Sequence, residues 1–190
     1  MKRTIGIVRT IGIVLSLILL TLNLSLAETK PKIDGILSKD EYTKYLSLSN
    51  GDFQIYWKIV DEEVYILMIG RTQGYVALGI APTIKAGDAD YIIGYVKDNK
   101  AVVLDYYAPE RHFGHSLDEK LGGKNDILEF AGREDKEFTY IEFRRKLNTG
   151  DKYDKVFPKT GKITIVWALS DKDDPHAMHV KRGYGELKID

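Results

Sequence analysis

The chain has 190 residues, 44% of them apolar, with 28 basic and 28 acidic side chains and no cysteine. That is enough for one well-packed domain and too short for two ordinary ones, and the balanced charge offers no concentrated basic surface for nucleic acid. Without cysteine, neither disulfide staples nor thiolate metal or redox chemistry is open to it.

The first 27 residues read as a secretory signal. Lys2, Arg3 and Arg9 precede an apolar run from Ile11 to Leu26, which ends in Ser25-Leu26-Ala27, small residues suited to cleavage. The run of about 16 residues falls short of the 18 or more expected of a spanning helix. Left uncleaved, residues 5–26 would tether the chain to a membrane. Cleavage leaves residues 28–190 as a single domain with 25 basic against 28 acidic side chains, mildly acidic, secreted or extracytoplasmic.

After the polar lead Glu28 to Lys32, Ser38 and Glu41 have the spacing of a capping box and predict a single helical turn. From residue 52 onward the pattern has period two and is rich in Val, Ile, Tyr, Phe and Trp. It predicts strands near 52–60, 64–71, 75–81, 91–97, 101–107, 126–132, 138–145, 163–169 and 184–189. Short turns at Asp61-Glu62-Glu63, Asp98-Asn99-Lys100 and residues 134–137 predict antiparallel hairpins. Nine or more strands in roughly 160 residues suit an all-β, two-sheet antiparallel sandwich. Alternation puts Ile141 and Phe143 on one face, and Ile163, Ile165, Trp167 and Leu169 form another one-sided set, so the core needs no cofactor to complete it.

Two long connections interrupt this pattern. Ala108 to Asn125 holds His112 and His115, and Ser170 to Gly183 holds His176 and His179. Long loops on a rigid sandwich are where a site is expected. The two His-x-x-His pairs could converge on one metal ion, imidazole being a ligand for Zn, Cu, Ni or haem iron. Gly-rich phosphate loops, a nucleophilic serine elbow and the glycine and distal glutamate of a helical calcium loop are absent, so the chain does not read as an enzyme in itself. The acidic residues Asp88, Asp90, Asp171, Asp173 and Asp174 read as solvated turn residues. Among the aromatics, Trp57 and Trp167 lie in predicted strands, while Tyr95, Tyr106 and Tyr107 flank the first long loop and could line a flat pocket.

Several segments, taken in order, resemble the DOMON family. "IDGILSKDEY" (residues 33–42) is similar to the opening shared by DOMON-like domains and family 9 carbohydrate-binding modules. "GYVALGIAPT", "GDADYIIGYV", "VLDYYA", "FRRKLNTGDKYD", "IVWAL" and the closing "HVKRGYGEL" resemble successive blocks of the domain. The resemblance implies an immunoglobulin-like sandwich with one of two extracytoplasmic functions. One is binding of b-type haem for electron transfer, as in the cytochrome domain of cellobiose dehydrogenase and the haem subunit of ethylbenzene dehydrogenase. The other is haem-free recognition of a carbohydrate or small ligand.

In the haem branch the iron is held by a methionine just before the "DAD" strand and by a histidine, or in one case a lysine, in the last loop. Here His179, three residues before Arg182-Gly183, stands close to the second position with a spacing one residue shorter than the family's, and His176 is the alternative, but the methionine position falls at about Ala86. A second axial ligand would have to come from Met68, Met178, Lys85, His112 or His115. Met68 alternates with Leu67 and Ile69 in a strand and also fits the core. For a haem-free ligand, Tyr95, Tyr107, Trp57 and Arg182 are the candidate pocket residues. The partner implied is either a redox protein or the sugar or small molecule itself.

Overall fold

The computed structural model describes residues 28–83, 85–109 and 114–190. The signal segment and His112 lie outside these residues. Eleven strands are formed: β1 (Lys44–Leu48), β2 (Phe53–Val60), β3 (Glu63–Gly70), β4 (Val76–Ile80), β5 (Ala89–Lys97), β6 (Lys100–Ala108), β7 (Ser116–Leu117), β8 (Glu129–Glu134), β9 (Thr139–Lys146), β10 (Lys162–Leu169) and β11 (Lys181–Lys188). They make a five-stranded sheet in the order β1-β2-β3-β9-β8 and a six-stranded sheet in the order β11-β10-β4-β5-β6-β7.

Local chemistry accounts for the hairpins. Asp98 and Asn99, between β5 and β6, both adopt positive φ (51° and 59°), which short-chained Asp and Asn tolerate and which matches the twist of a tight two-residue turn. Asp61 (φ 58°) serves the β2–β3 hairpin in the same way. All nine adjacent strand pairs in the two sheets are antiparallel, as the short turns predict.

The two sheets meet over one apolar core. Phe53, Ile55, Val64, Ile66, Met68, Ile141 and Phe143 from one sheet face Val76, Leu78, Ile80, Ile92, Ile163, Ile165, Trp167 and Leu169 from the other, and none is more than 5% exposed. Burial of these side chains is the dominant favourable contribution to the fold, on the order of 1.5–3 kcal/mol for each large one.

The expected helical turn at Ser38 to Glu41 is instead an irregular turn. The Glu41 carboxylate does reach back to the Ser38 N–H (3.0 Å), but the flanking chain is anchored elsewhere. Asp34 N–H and Gly35 N–H donate to Glu142 Oε2 and the Tyr42 hydroxyl to Glu142 Oε1, tying residues 34–42 flat against β9. The helix that does form, Asp118–Leu121, is one turn long and stops at Gly122 with φ 88°. Strands β1 and β7 were not signalled by the pattern; each pairs on one side only, so tertiary contact rather than period-two burial defines it.

Candidate functional site

Strands that alternate send every second residue to the far side of the six-stranded sheet, away from the other sheet. There Tyr75, Ala77, Ala89, Tyr91, Ile93, Tyr106, Ala108 and Val166 form a second buried cluster, with Ala86, Tyr95, Leu104, Leu117, Ala168 and Ala177 packed against it. An outer sheet face buried to this degree must be covered, and among the described residues Leu117 of the first long connection and Ala177 of the second pack on it, with Ala86 from the segment before β5.

The loop after β10 is pinned at both ends. The Thr72 hydroxyl donates to the Ser170 carbonyl, the Tyr75 hydroxyl to the Ala177 carbonyl (3.2 Å), and the Val180 N–H to the Leu169 carbonyl (2.8 Å). Burial, and next the nearby Asp174, push the Tyr75 hydroxyl up to about 12. On the other side, the Tyr91 hydroxyl donates to the Ala86 carbonyl (2.8 Å), which holds the segment before β5 against the same face.

The histidines meet on this face. The rings of His115 and His176 are nearly parallel (13°) with centroids 6.2 Å apart. Tyr106 stands edge-on to His115 at 4.7 Å and to His176 at 6.3 Å, and Tyr91 lies 6.1 Å from His115. His115 Nδ1 is buried with no hydrogen-bond partner among the described residues. Burial, and secondarily His176, pull the His115 pKa down, which keeps the ring neutral and its lone pair available.

His179, half-buried three residues beyond His176, is also pulled down, by burial and then by Arg182. Arg182 lies exposed on β11, on the same side as Tyr91, whose hydroxyl pKa its charge moderates. Met178 is 80% exposed and Lys85 is exposed at a positive φ of 51°, so neither is packed on the cluster. Met68 and Trp57 are placed far from any ligand role: both are in the inter-sheet core, Met68 fully buried between Ile55 and Ile141, on the side away from the histidines. Tyr95 borders the outer-face cluster, whereas Tyr107 faces the other way, its hydroxyl donating to Asp88 Oδ1 (2.7 Å) and its ring 5.2 Å from Tyr153.

A second constellation lies on the opposite parity of the same strands. Asp90 of β5 and Asp105 of β6 are fully buried, as is Asp118 at the start of the short helix, and Asp154 joins them from the segment after β9. One oxygen each from Asp90, Asp105 and Asp154 fall within 4.8 Å of one another. The only buried cation among them is Arg145, with Nη1 2.7 Å from Asp90 and 3.7 Å from Asp154. Burial first, and then the mutual repulsion of the carboxylates, raise Asp105 to about 8 and Asp118 to about 7. Asp154 is raised to about 6, mainly by burial, although Arg145 opposes the shift. Asp90 therefore departs from its expected place in a solvated turn: period two turns it into the sandwich. The available signal was "ADYII" and "VLDYY", in which an acid occupies an inward position of an otherwise apolar strand.

The fold is a two-sheet antiparallel β-sandwich whose outer face carries an aromatic cluster with His115 and His176 beside it. This chain belongs to the DOMON domain family, whose model matches residues 49–170. It is 28% identical over 129 residues to MOXD1 homolog 2 of Drosophila melanogaster, covering 67% of this chain and 16% of that protein. It is 30% identical over 144 residues to the mouse DBH-like monooxygenase protein 1, covering 73% of this chain and 22% of that protein. The chain thus spans less than a quarter of the length of these relatives. The cytochrome b domain of pyranose dehydrogenase from Coprinopsis cinerea shares the fold with a TM-score of 0.58 at 13% identity, over 76% of this chain and 80% of that one. The cytochrome domain of Myriococcum thermophilum cellobiose dehydrogenase does so with a TM-score of 0.53 at 11% identity, over 77% and 81%. No helix among the described residues is long and apolar enough to cross a membrane.

Proposed function

We propose that this protein is an exported DOMON module that binds b-type haem on the outer face of its six-stranded sheet and passes electrons to or from a redox partner. The carrying observation is the pairing of His115 with His176 over an apolar, tyrosine-walled face, with one buried imidazole nitrogen left unpartnered. Two imidazoles that each ligate one ion at about 2 Å have ring centres about 6 Å apart, close to the spacing found here.

The donor set fits a bis-histidine haem and not the methionine–histidine arrangement, because Ala86 stands on the face where a methionine would be needed. His115 would supply one ligand and His176 the other, with His179 the alternative in the same loop. When bound, the haem would supply a one-electron carrier whose potential depends on its axial ligands. The chain's own part is to present the two imidazoles, to keep water from the face with Tyr91, Tyr106 and Ile93, and to fix the loops through Tyr75 and Ala177.

The test is reconstitution of the protein with haemin. A Soret band with the spectrum of a six-coordinate low-spin iron is expected, shifting to a five-coordinate form in His115→Ala and in either His176→Ala or His179→Ala. Failure of any Soret band to appear removes the reading.

A second reading, recognition of a carbohydrate or other small ligand without haem, is favoured by one separate observation. Tyr42, Tyr45 and Tyr56 form an aromatic ledge on the five-stranded sheet, with Tyr45–Tyr56 ring centroids 4.6 Å apart. Beside it opens a cleft of about 420 Å³ lined by Leu37, Ser38, Lys39, Asp40, Tyr42 and Tyr56. Glycan binding measured by calorimetry, lost in Tyr56→Ala, would establish this reading in place of the first.

A further inference from the structure

The buried carboxylates between the sheets play no part in the haem reading, and their chemistry is unbalanced as it stands. Asp90 Oδ2 accepts from the Lys155 N–H (2.9 Å) and is ion-paired with Arg145 Nη1 (2.7 Å), and Asp105 Oδ2 accepts from the Asp126 N–H (2.9 Å). Their other oxygens, Asp90 Oδ1 and Asp105 Oδ1, and both carboxylate oxygens of Asp118, are buried without a partner among the described residues. A buried carboxylate oxygen left unpaired is costly, and several together are tolerated only if protons or a cation neutralise them. Arg145 brings one positive charge against these carboxylates: Nη2 donates to the Lys155 carbonyl (2.7 Å) and Nη1 is ion-paired with Asp90.

We propose that Asp90, Asp105 and Asp154 bind a hard divalent cation of the calcium class, at a site that ties β5 and β6 to the segment following β9. Coordination chemistry favours calcium over magnesium: calcium accepts an irregular set of about six to eight oxygens at about 2.3–2.6 Å, whereas magnesium demands near-ideal octahedral geometry at about 2.0–2.1 Å. The three oxygens here come from three separate stretches of chain with Arg145 crowding Asp90, an uneven arrangement that suits the larger and more forgiving ion. Asp118, which feels the charges of Asp154 and Asp90, stands as an added source of negative charge at the margin. Arg145 offsets part of that charge and positions Asp90 through its 2.7 Å contact, so a single divalent ion suffices. The site is independent of the haem reading, since it lies on the inner side of the strands whose outer side carries the histidines.

The experiment is a titration of the full chain, stripped with chelator, first with calcium chloride and then with magnesium chloride, followed by calorimetry and thermal melting. One calcium per chain is expected, with the melting temperature rising by about 5–10 °C at a hundredfold excess over the dissociation constant. Magnesium should give a smaller rise. Asp105→Asn and Asp154→Asn, stripped of metal, should melt at or above the stripped wild type because repulsion is relieved, yet gain nothing from calcium. Asp171→Asn, an exposed turn residue, should keep the full gain. Absence of binding and of any melting shift with either ion overturns the proposal and leaves a cluster of protonated acids. A calcium shift that survives in both the Asp105 and Asp154 variants places the ion elsewhere, and a magnesium rise equal to or above that of calcium overturns the choice of ion.

Discussion

Gly183 follows Arg182 in the closing strand and pairs across to Trp167 on β10. A Cβ built at Gly183 would lie 2.7 Å from Trp167 Nε1 and 2.8 Å from Cε2 and Cζ2. Carbon contacts are comfortable only at about 3.5–4.0 Å, so the indole would have to retreat by close to an ångström. It has little room: Trp167 is 3% exposed, and its ring stacks on Phe53 at 5.2 Å and 11°. Overpacking of this kind costs about 1–3 kcal/mol, offset by about 0.5–1 kcal/mol because alanine loses less backbone entropy than glycine in a strand. Because the indole is confined, the upper half of that overpacking range applies, about 2–3 kcal/mol, so Gly183→Ala is expected to destabilise by about 1–2.5 kcal/mol and to lower the melting temperature by about 2–10 °C. Urea unfolding followed by tryptophan fluorescence measures the first and thermal circular dichroism the second. In a Trp167→Phe background the indole edge Nε1–Cε2–Cζ2 that meets the new methyl is gone, and the Gly183→Ala penalty should fall towards zero. If Gly183→Ala melts like the wild type, or costs as much in both backgrounds, the packing explanation of this glycine is wrong.

Two further outcomes follow from the buried groups. Met68→Ala, which empties a fully buried site between Ile55 and Ile141, should cost about 2–5 kcal/mol in urea while leaving the position of any haemin Soret band unchanged; a spectral change would place Met68 at the iron after all. Glu142 is held above its ordinary value, chiefly by burial and against the hydrogen bonds from Tyr42, Gly35 and Asp34. Because the folded state then binds the proton more tightly than the unfolded one, this group's contribution to stability falls as pH rises through the ordinary glutamate value towards its raised one. The stability of wild type minus that of Glu142→Gln should accordingly decrease between pH 4 and 7, and a difference that increases would mean that the hydrogen bonds outweigh burial.

Much of the sandwich was legible in the chain. Nine of the strands answer to period-two runs, because a strand half-buried against one core must alternate, and the hairpins answer to Asp and Asn at positions that need positive φ. The ordered blocks around "GDADYIIGYV" and "HVKRGYGEL" pointed to the DOMON family, and the family model matches residues 49–170. The edge strands Lys44–Leu48 and Ser116–Leu117 were not visible, since a strand paired on one side and exposed on the other carries little apolar pattern. The turn at Ser38 to Glu41 misled for a related reason: a local capping pattern was overruled by the distant carboxylate of Glu142.

The candidate sites divide along the same line. Sequence alone established that the histidines sit in two long loops and that the expected methionine is Ala86. It could not say that His115, rather than Met68, comes to lie beside His176, because that depends on which loops fold over the same sheet face. Nor could it separate Asp90 and Asp105 from the solvated acids of the turns. Period two fixes which residues share a face, but only the pairing of β5 with β6, and their stacking against β9, decides whether that face meets water or another buried charge.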